Sequence, residues 1–411
     1  MSNSPRTYTL NFLGDVMLGR LVDQLFPQHV SNAREAEIIT SFTERAPSFF
    51  KNYTHRSPWG NTLPLLHQAD MNLINLETSV TTSRVPWPDK AFNYRMHPAN
   101  IAVLHEGQVD YASLANNHTL DFGTEGLVET VWTLKTAHIA FAGAGETNVQ
   151  ASRAVELKLP RVYPPSGRRS LADKYQKMEE DTKPQTRDKD HTHIIHVYSA
   201  ADHPHDWAVV PTFNLIDYSS TTRHRLKHIL MNNQTASGGT SALNAQTPAL
   251  KIFSVHWGPN YAWHPDERTI RSLAHFLVDE CGVDIIHGHS SHHIQGVEVY
   301  RGKLIIYGCG DFVDDYALNE VFRNDLGAVW RVTVSEKQTT DTTTSSSGVE
   351  LSTLEIFPTR IERFQAHLLE PMDPDYDWTR RKVTVLSERL GTTVNSEVGE
   401  QGQIVIDLKT Q

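Results

Sequence analysis

Cysteine is nearly absent from this sequence of 411 residues, which contains only Cys281 and Cys309. Two cysteines do not make a disulfide framework, and a reducing compartment is the default for such a chain. The first residues, MSNSPRTYTLNFLGD, lack the basic start and long apolar stretch of a secretory signal. We therefore expect a cytoplasmic protein in which both cysteines are small buried side chains.

Long apolar runs and an excess of positive charge are missing as well. No segment approaches the roughly 18–20 apolar residues that a membrane-spanning helix needs, so we expect no membrane anchor. The 38 lysines and arginines are outnumbered by 48 aspartates and glutamates, which gives a formal net charge of −10. Because surfaces that bind nucleic acid are usually basic, we expect no nucleic-acid partner.

Short apolar runs alternate with helical patterns along the chain, in the order typical of an α/β protein. The runs predict strands at residues 8–13, 71–76, 110–114, 194–198, 251–255 and 283–286. The helical patterns cover about 19–29, 99–107, 124–136, 219–231 and 266–281. The chain is long enough to bury a large core.

Three polar segments interrupt this pattern. Their composition cannot repay the entropy of ordering by burial, so we predict flexible surface insertions near 161–192, 232–248 and 336–349. We predict one domain over residues 6–370. The remaining residues, 371–411, are expected to form a peripheral C-terminal segment with a short helix and a final strand.

Five of the six predicted strands end in a side chain of a metal-ligand type. Because α/β sheets bind ligands at the carboxyl ends of their strands, residues far apart in sequence converge there. Each residue alone is explained by a turn, a helix cap or a core histidine, whereas the ordered set favours one metal site. The mixture of imidazole, carboxylate and amide oxygen suits zinc, manganese or iron better than calcium or magnesium. The residues are Asp15, Glu77, Asn117, His118, His256, His289 and His292.

Five short motifs carry these side chains. They are GDVMLGR at 14–20, NLE at 75–77, ANNH at 115–118, HWG at 256–258 and DIIHGHSSH at 284–292. From about residue 8 to 370 the chain resembles the bacterial capsule-synthesis CapA family, which includes the poly-gamma-glutamate accessory proteins called PgsA. That family belongs to the calcineurin-like metallophosphoesterase superfamily. The resemblance implies a four-layer α/β sandwich, two β-sheets flanked by α-helices, with two divalent metal ions (Mn, Fe or Zn).

The resemblance also implies a role for each motif residue. Asp15 and His292 are implied to bind the first metal, Glu77 to bridge, and Asn117, His256 and His289 to bind the second. The implied catalytic residues are His118, as acid or charge stabiliser beside a phosphoryl group, and its neighbour Asn117.

This sequence departs from the superfamily pattern at several positions. Met17 stands where a histidine is usual, so the first metal site is expected to be short of a ligand, weak or absent. Glu77 replaces an aspartate, and the closing motif is GHxxH rather than GHxH. Asp311 stands where the family commonly has asparagine, and both a turn role and a ligand role are open for it.

Three further residues are candidates for substrate binding. Arg20 follows the first motif and is able to hold a phosphate or carboxylate with two hydrogen bonds, although a solvated arginine explains it equally well. Trp257 and Tyr261 are candidates for the pocket wall, with core packing as the alternative. His264 and His293 are expected at the surface or behind the ligands.

Two functions of different classes are compatible with these residues. The first is a metal-dependent hydrolase of a phosphoester or related bond, with a metal-bound hydroxide as nucleophile and His118 assisting. The second is a non-catalytic accessory protein of poly-gamma-glutamate or capsule-type polymer synthesis that binds a polyanionic ligand. The expected partner is accordingly a small molecule or a polyanionic polymer. A nuclease or nucleotide phosphodiesterase is a weaker third option, since the chain is acidic.

Overall fold

The computed structural model describes residues 5–161, 192–236, 247–337 and 348–411. Most of each predicted insertion lies outside the described residues, namely 162–191, 237–246 and 338–347. Within the described ranges, no helix combines the length and the apolar character required to cross a membrane. Both cysteines are buried, as the sequence predicts.

The described strands, numbered along the chain, form two large sheets and one small one. They are β1 (Thr7–Val16), β2 (Met71–Leu76), β3 (Ser79–Val80), β4 (Arg95–Met96), β5 (Tyr111–Ser113), β6 (Ala140–Ala142), β7 (Val155–Leu159), β8 (His193–Ala201), β9 (Leu250–His256), β10 (Ile285–His289), β11 (Val297–Tyr300), β12 (Lys303–Ile306), β13 (Asp311–Val313), β14 (Leu326–Glu336), β15 (Val349–Glu362), β16 (Gln365–Leu368) and β17 (Ile404–Asp407).

The described α-helices range in length from four residues to sixteen. They are α1 (Arg20–Asp23), α2 (Ala33–Arg45), α3 (Pro47–Phe50), α4 (Leu63–Gln68), α5 (Ala102–Glu106), α6 (Gly123–Thr136), α7 (Asn148–Ser152), α8 (Ser220–Met231), α9 (Ser272–Cys281) and α10 (Pro374–Arg389). A π-helical turn, Glu267–Arg271, leads directly into α9.

Each of the two large sheets contains a group of four parallel strands. In the first, the order is β16-β15-β14-β1-β2-β5-β6, with β13 paired to β1 and β17 paired to β15. In the second, the order is β11-β12-β10-β9-β8-β7. Strands β1, β2, β5 and β6 run parallel, and so do β8, β9, β10 and β12, so each group presents its carboxyl ends on one edge.

Alternating side chains divide the core into three clusters. Phe12 of β1 and Ile252 of β9 belong to a cluster that both sheets share, so it lies between them. Leu13, the next residue of β1, packs with residues of the N-terminal helices, whereas Phe253 packs with residues of α8 and α9. Since neighbouring strand residues point to opposite faces, both sheets are buried on both sides. The predicted four-layer α/β sandwich is confirmed.

The predicted elements correspond to observed ones, with shifted ends. The helix expected over 19–29 is helical only from Arg20 to Asp23, and Pro27 lies just beyond it. Helix α2 has no counterpart among the predictions, and Ile39 is its only buried residue. The C-terminal residues 371–411 place β17 against β15 at the sheet edge, with Ile404 and Ile406 buried.

Candidate metal centre

Strand register brings the predicted ligands to one edge of the sandwich. Asp15 of β1 is paired with Asp311 of β13 on one side and with Asn75 of β2 on the other. In the second sheet, His256 of β9 is paired with His289 of β10, and each is the last residue of its strand. The two sheets therefore deliver carboxylates and imidazoles to the same place.

Asp15 is shared by two groups of buried ligand atoms. The ligand atoms of Asp15, His256 and His289 lie within 4.8 Å of one another, and so do those of Asp15, His292 and Asp311. The Nδ1 atoms of His256 and His289 are 2.8 Å apart. Nδ1 of His292 is 2.9 Å from Oδ1 of Asp311 and 3.5 Å from Oδ2 of Asp15. Residues from both ends of the domain thus meet around one carboxylate.

Two buried asparagine amides fix the orientation of the carboxylates. Nδ2 of Asn75 donates to Oδ1 of Asp15 over 2.7 Å and to Oε2 of Glu77 over 3.1 Å. Asn116 in turn donates to Oδ1 of Asn75 over 3.0 Å. Each carboxylate therefore has one oxygen engaged with the protein and a second oxygen left for another partner.

Four side-chain oxygens at this edge are buried without a hydrogen-bond partner in the structure. They are Oδ2 of Asp15, Oε1 of Glu77, Oδ1 of Asn117 and Oδ2 of Asp311. An unpaired buried polar atom costs free energy, so such a group of oxygens needs a positively charged or proton-donating partner. Oxygens and imidazole nitrogens together suit manganese, iron or zinc. The residues present therefore fit a divalent cation.

Burial and charge shift the pKa values of these groups in the direction that metal binding exploits. Burial, and next the charge of Asp15, raise the pKa of Glu77 and of Asp311 well above the usual carboxyl range. Burial, and next the neighbouring imidazoles, lower the pKa of His256 and His289 well below the usual histidine range. The imidazoles are accordingly neutral, which is the form that binds metals. A nearby cation would favour ionisation of the carboxyl groups.

His118 lies beside the cluster and is held from several sides. Its Nε2 is 4.0 Å from Oε1 of Glu77, and its Nδ1 is 2.6 Å from Oδ2 of Asp121. Its ring stacks on that of Tyr94 with centroids 3.7 Å apart. Nζ of Lys90 is 3.1 Å from the same Nδ1 and is ion-paired with Asp121. The Nε2 edge is thereby turned toward the carboxylates.

Comparison with known proteins identifies the family. The family model described as "Bacterial capsule synthesis protein PGA_cap" matches residues 9–316. The chain belongs to this family. The predicted resemblance to capsule-synthesis CapA proteins is thus confirmed, and the family is metallophosphoesterase-like.

Three curated relatives illustrate the range of the PGA_cap family. The chain is 31% identical over 416 residues to the "Probable polyglutamine synthesis accessory protein" of Mycobacterium tuberculosis (strain ATCC 25618 / H37Rv), which covers 96% of this chain and 95% of that protein. It is 23% identical to the "PGA biosynthesis protein CapA" of Bacillus subtilis (strain 168), over 74% of this chain and 63% of that protein. It is 22% identical to the "Capsule biosynthesis protein CapA" of Bacillus anthracis, over 75% of this chain and 60% of that protein.

The residues predicted to bind substrate in this PGA_cap protein are placed differently from one another. Trp257 is 3% exposed, donates its indole N–H to the carbonyl of Tyr307 and packs beneath α8 and α9, so core packing describes it. Tyr261 is half-buried, with its ring 6.0 Å from that of His292. Arg20 is ion-paired with Asp315 over 3.3 Å. Tyr261 and Arg20 remain candidates at the rim of the centre.

The two secondary histidine candidates lie away from the shared carboxylate. His264 is exposed and contacts Arg389, with 2.7 Å between His264 Nε2 and Arg389 Nη1. His293 is fully buried, and its Nδ1 is 3.0 Å from the carbonyl of Ile294.

An aspartate–histidine pair beside the centre is missing from the sequence predictions. The ring of His203 lies 5.1 Å from that of His256, and Nδ1 of His203 is hydrogen-bonded to Asp202. The pair follows the one predicted strand, 194–198, to which no ligand is assigned. The predicted strand ends at residue 198, whereas β8 ends three residues later, at Ala201. The pair therefore lies at the true carboxyl end of the strand, which the sequence prediction placed too early.

Proposed function

We propose that this PGA_cap chain is a metal-dependent hydrolase of a phosphoester or related bond. The observation that supports this most is the set of four unpartnered buried oxygens next to three clustered imidazoles. Asp15 would be common to two cation positions, one with His256 and His289 and the other with His292 and Asp311. Divalent cations supply such hydrolases with activated water and with positive charge that offsets the charge developing on phosphoryl oxygens.

The protein's own side chains perform the remaining tasks in this proposal. Asn75 keeps the free oxygens of Asp15 and Glu77 directed at the centre. His118, positioned by Asp121, directs Nε2 to the space next to Glu77, where it is able to hold a proton for a leaving group.

Asp311 takes the place of a missing nitrogen ligand in the first cation position. Met17 is buried and offers no hard ligand atom, although the superfamily usually has histidine there. Asp311 contributes a carboxylate to the same group as Asp15 and His292. We therefore propose that the first position is built with a carboxylate instead of an imidazole, which favours manganese or iron over softer ions.

The test pairs metal analysis with hydrolysis of an aryl phosphate. Protein purified without chelator is expected to contain a divalent metal and to release the aryl alcohol from para-nitrophenyl phosphate. His289→Ala is expected to lower both metal content and hydrolysis, because it removes one imidazole of the cluster. His228→Ala, which changes an exposed histidine of α8, serves as the matched control and should leave both unchanged. Metal-free wild-type protein, or hydrolysis that survives His289→Ala, would overturn the proposal.

A second candidate function is an accessory role in poly-glutamate synthesis. The observation that favours it is the alignment with the Mycobacterium tuberculosis accessory protein over 96% of this chain. In this case the same centre binds a carboxylate-rich polymer without cleaving an ester. Bound metal, no hydrolysis across a panel of phosphate esters, and metal-dependent binding of poly-γ-glutamate would support this role over the first.

A further inference from the structure

A cavity of about 490 Å³ lies beside His256 and outside the ligand cluster. It is formed by the residues that follow β8 and by the loop between β9 and the π-helical turn before α9. Its lining includes the polar residues Asp202, His203, His205, Asp217, Asn260 and Asp266. None of these is among the residues already assigned to the metal centre or to His118.

Several hydrogen bonds hold the side of the cavity that is next to the metal centre. Asp202 is 8% exposed and accepts hydrogen bonds from the Tyr218 hydroxyl over 2.6 Å and from the Gly258 amide over 2.8 Å. It also holds Nδ1 of His203, whose ring is 5.1 Å from that of His256. The Asp202 amide donates to the carbonyl of His256 over 3.0 Å. His203 therefore belongs to the cavity lining and also packs beside a residue of the metal centre.

The residues that line the cavity carry negative charge. Among the described residues that line it there are three aspartates and neither lysine nor arginine. Asp217 and Asp266 are exposed, and hydrogen bonds from Ser219 and Thr269 lower the pKa of each, so both are ionised at neutral pH. Arg225 and Arg268 lie outside the lining, and their charges lower the pKa of Asp217 and Asp266 further. The guanidinium of Arg225 donates hydrogen bonds to Asn214 and to the carbonyl of Leu215.

We propose that this cavity binds the part of the substrate attached to the phosphoryl group, and that it selects a group with ammonium or hydroxyl donors over a second anion. Carboxylates and oriented imidazole atoms accept hydrogen bonds from such donors, and negative charge at the wall repels an anionic substituent. The inference rests on the proposed phosphoesterase function, because it assumes that a phosphoryl group occupies the metal centre.

The experiment neutralises the cavity without disturbing its backbone. In Asp217→Asn and Asp266→Asn the oxygen that accepts the local hydrogen bonds is retained, since Oδ1 alone accepts them in both residues. Asparagine is also as good a helix N-cap as aspartate. Asp373→Asn neutralises the N-cap of α10, outside the cavity lining, and is the matched control.

Binding to the manganese-loaded full chain is measured by calorimetry with two phosphate esters of equal length. These are O-phosphoethanolamine, which bears an ammonium group, and 2-phosphoglycolate, which bears a carboxylate. Wild-type protein and the Asp373→Asn control are expected to bind phosphoethanolamine at least about fivefold more tightly, as two exposed charge contacts allow. In the double variant Asp217→Asn and Asp266→Asn the two affinities are expected to converge.

Inorganic phosphate has no substituent to occupy the cavity. Its binding therefore distinguishes a failure of the proposed function from a failure of this inference alone. It is expected to bind wild-type protein and the double variant equally. If phosphate and both esters fail to bind the manganese-loaded protein, the proposed function fails and this inference with it. If phosphate binds but wild-type protein favours phosphoglycolate, or the double variant keeps the wild-type preference, the inference alone is overturned.

Discussion

In the proposed metal centre, Glu77 and Asp311 would govern how metal affinity depends on pH, because a cation and a proton compete for the same carboxylate oxygens. Burial, with the charge of Asp15 as the next cause, raises the pKa of both groups. Each must ionise to hold a metal, so affinity rises as the pH increases through these raised pKa values. His256 and His289 have lowered pKa values and stay neutral in this range.

We therefore expect saturating Mn²⁺ to raise the thermal unfolding midpoint Tm more at pH 8 than at pH 6. Each proton released on binding changes the affinity about tenfold per pH unit. Differential scanning fluorimetry of metal-free protein with and without Mn²⁺ measures this gain. The His289→Ala variant should lose most of it at both pH values. An equal gain at pH 6 and pH 8 in wild-type protein would contradict this account of the carboxyl groups.

At the same scale, sequence motifs identify side chains by type but not by the partner that each one faces. His256 and Trp257 are adjacent in one motif, yet His256 faces the centre and Trp257 packs in the core. Asp311 is close to Asp15 only because β13 pairs with β1, a register that motif spacing does not reveal. The same limit hides the role of Asn75, whose side-chain amide donates a hydrogen bond to Asp15 on the neighbouring strand.

The parallel strands position the candidate centre. Strands β1 and β13 approach each other especially closely at Gly14. A Cβ atom on Gly14 would lie 1.7 Å from the carbonyl oxygen of Gly310. Any side chain at Gly14 therefore forces the two strands apart, and each strand carries one ligand of the first cation position. Glycine is required here by close approach, not by an unusual backbone angle.

Gly14→Ala is accordingly expected to reduce both stability and metal content. Overpacking of this kind costs about 1–3 kcal/mol, and the displaced strands separate Asp15 from Asp311. Gly302→Ala is the control, since Gly302 has φ +71 and no atom within 4 Å of its Cβ position. Backbone strain should cost that variant about 1 kcal/mol with unchanged metal content. Metal analysis and urea unfolding compare the two, and a Gly14→Ala protein with full metal content would contradict the strand argument.

Elements buried on both faces are the ones that sequence patterns predict best. β2 and β9 are rich in apolar residues because the sandwich covers both of their faces. Helix α2 contributes only Ile39 to the core, so it lies largely outside the buried elements. The end of β8 is misplaced because the small residues Ser199, Ala200 and Ala201 continue the strand without strong apolar character.

On the scale of the whole molecule, the four layers follow from the alternation of apolar runs and from the family motifs, whereas the strand order does not. In the first sheet, strands β13 to β17 come from the C-terminal part of the chain, whereas β1 comes from its beginning. Local periodicity identifies a strand but not the strand with which it pairs, so this long-range order is not predicted from the sequence. The extent of the domain is one consequence, because β17 extends a sheet that begins near residue 7.

Removal of residues 397–411 tests whether the C-terminal segment is peripheral or belongs to the core. The deletion removes β17 with three buried side chains, Ile404, Ile406 and Leu408, which are at most 4% exposed. Burial of each aliphatic side chain contributes roughly 1.5–3 kcal/mol, so the loss rivals the total stability of an ordinary domain. We expect the truncated chain to be largely unfolded or to show a steeply lowered Tm, although no metal-centre residue is removed.

A milder variant keeps this prediction measurable if the truncated chain is insoluble. Ile406→Ala should cost about 2–5 kcal/mol and leave the metal content of the folded protein unchanged. Val398→Ala, at a side chain 38% exposed, is the matched control and should be nearly neutral. A truncated chain with the wild-type Tm would instead place the domain boundary near residue 370. The proposed metal ligands all precede residue 312. If a variant loses stability but retains metal, β17 supports the sheet without shaping the centre.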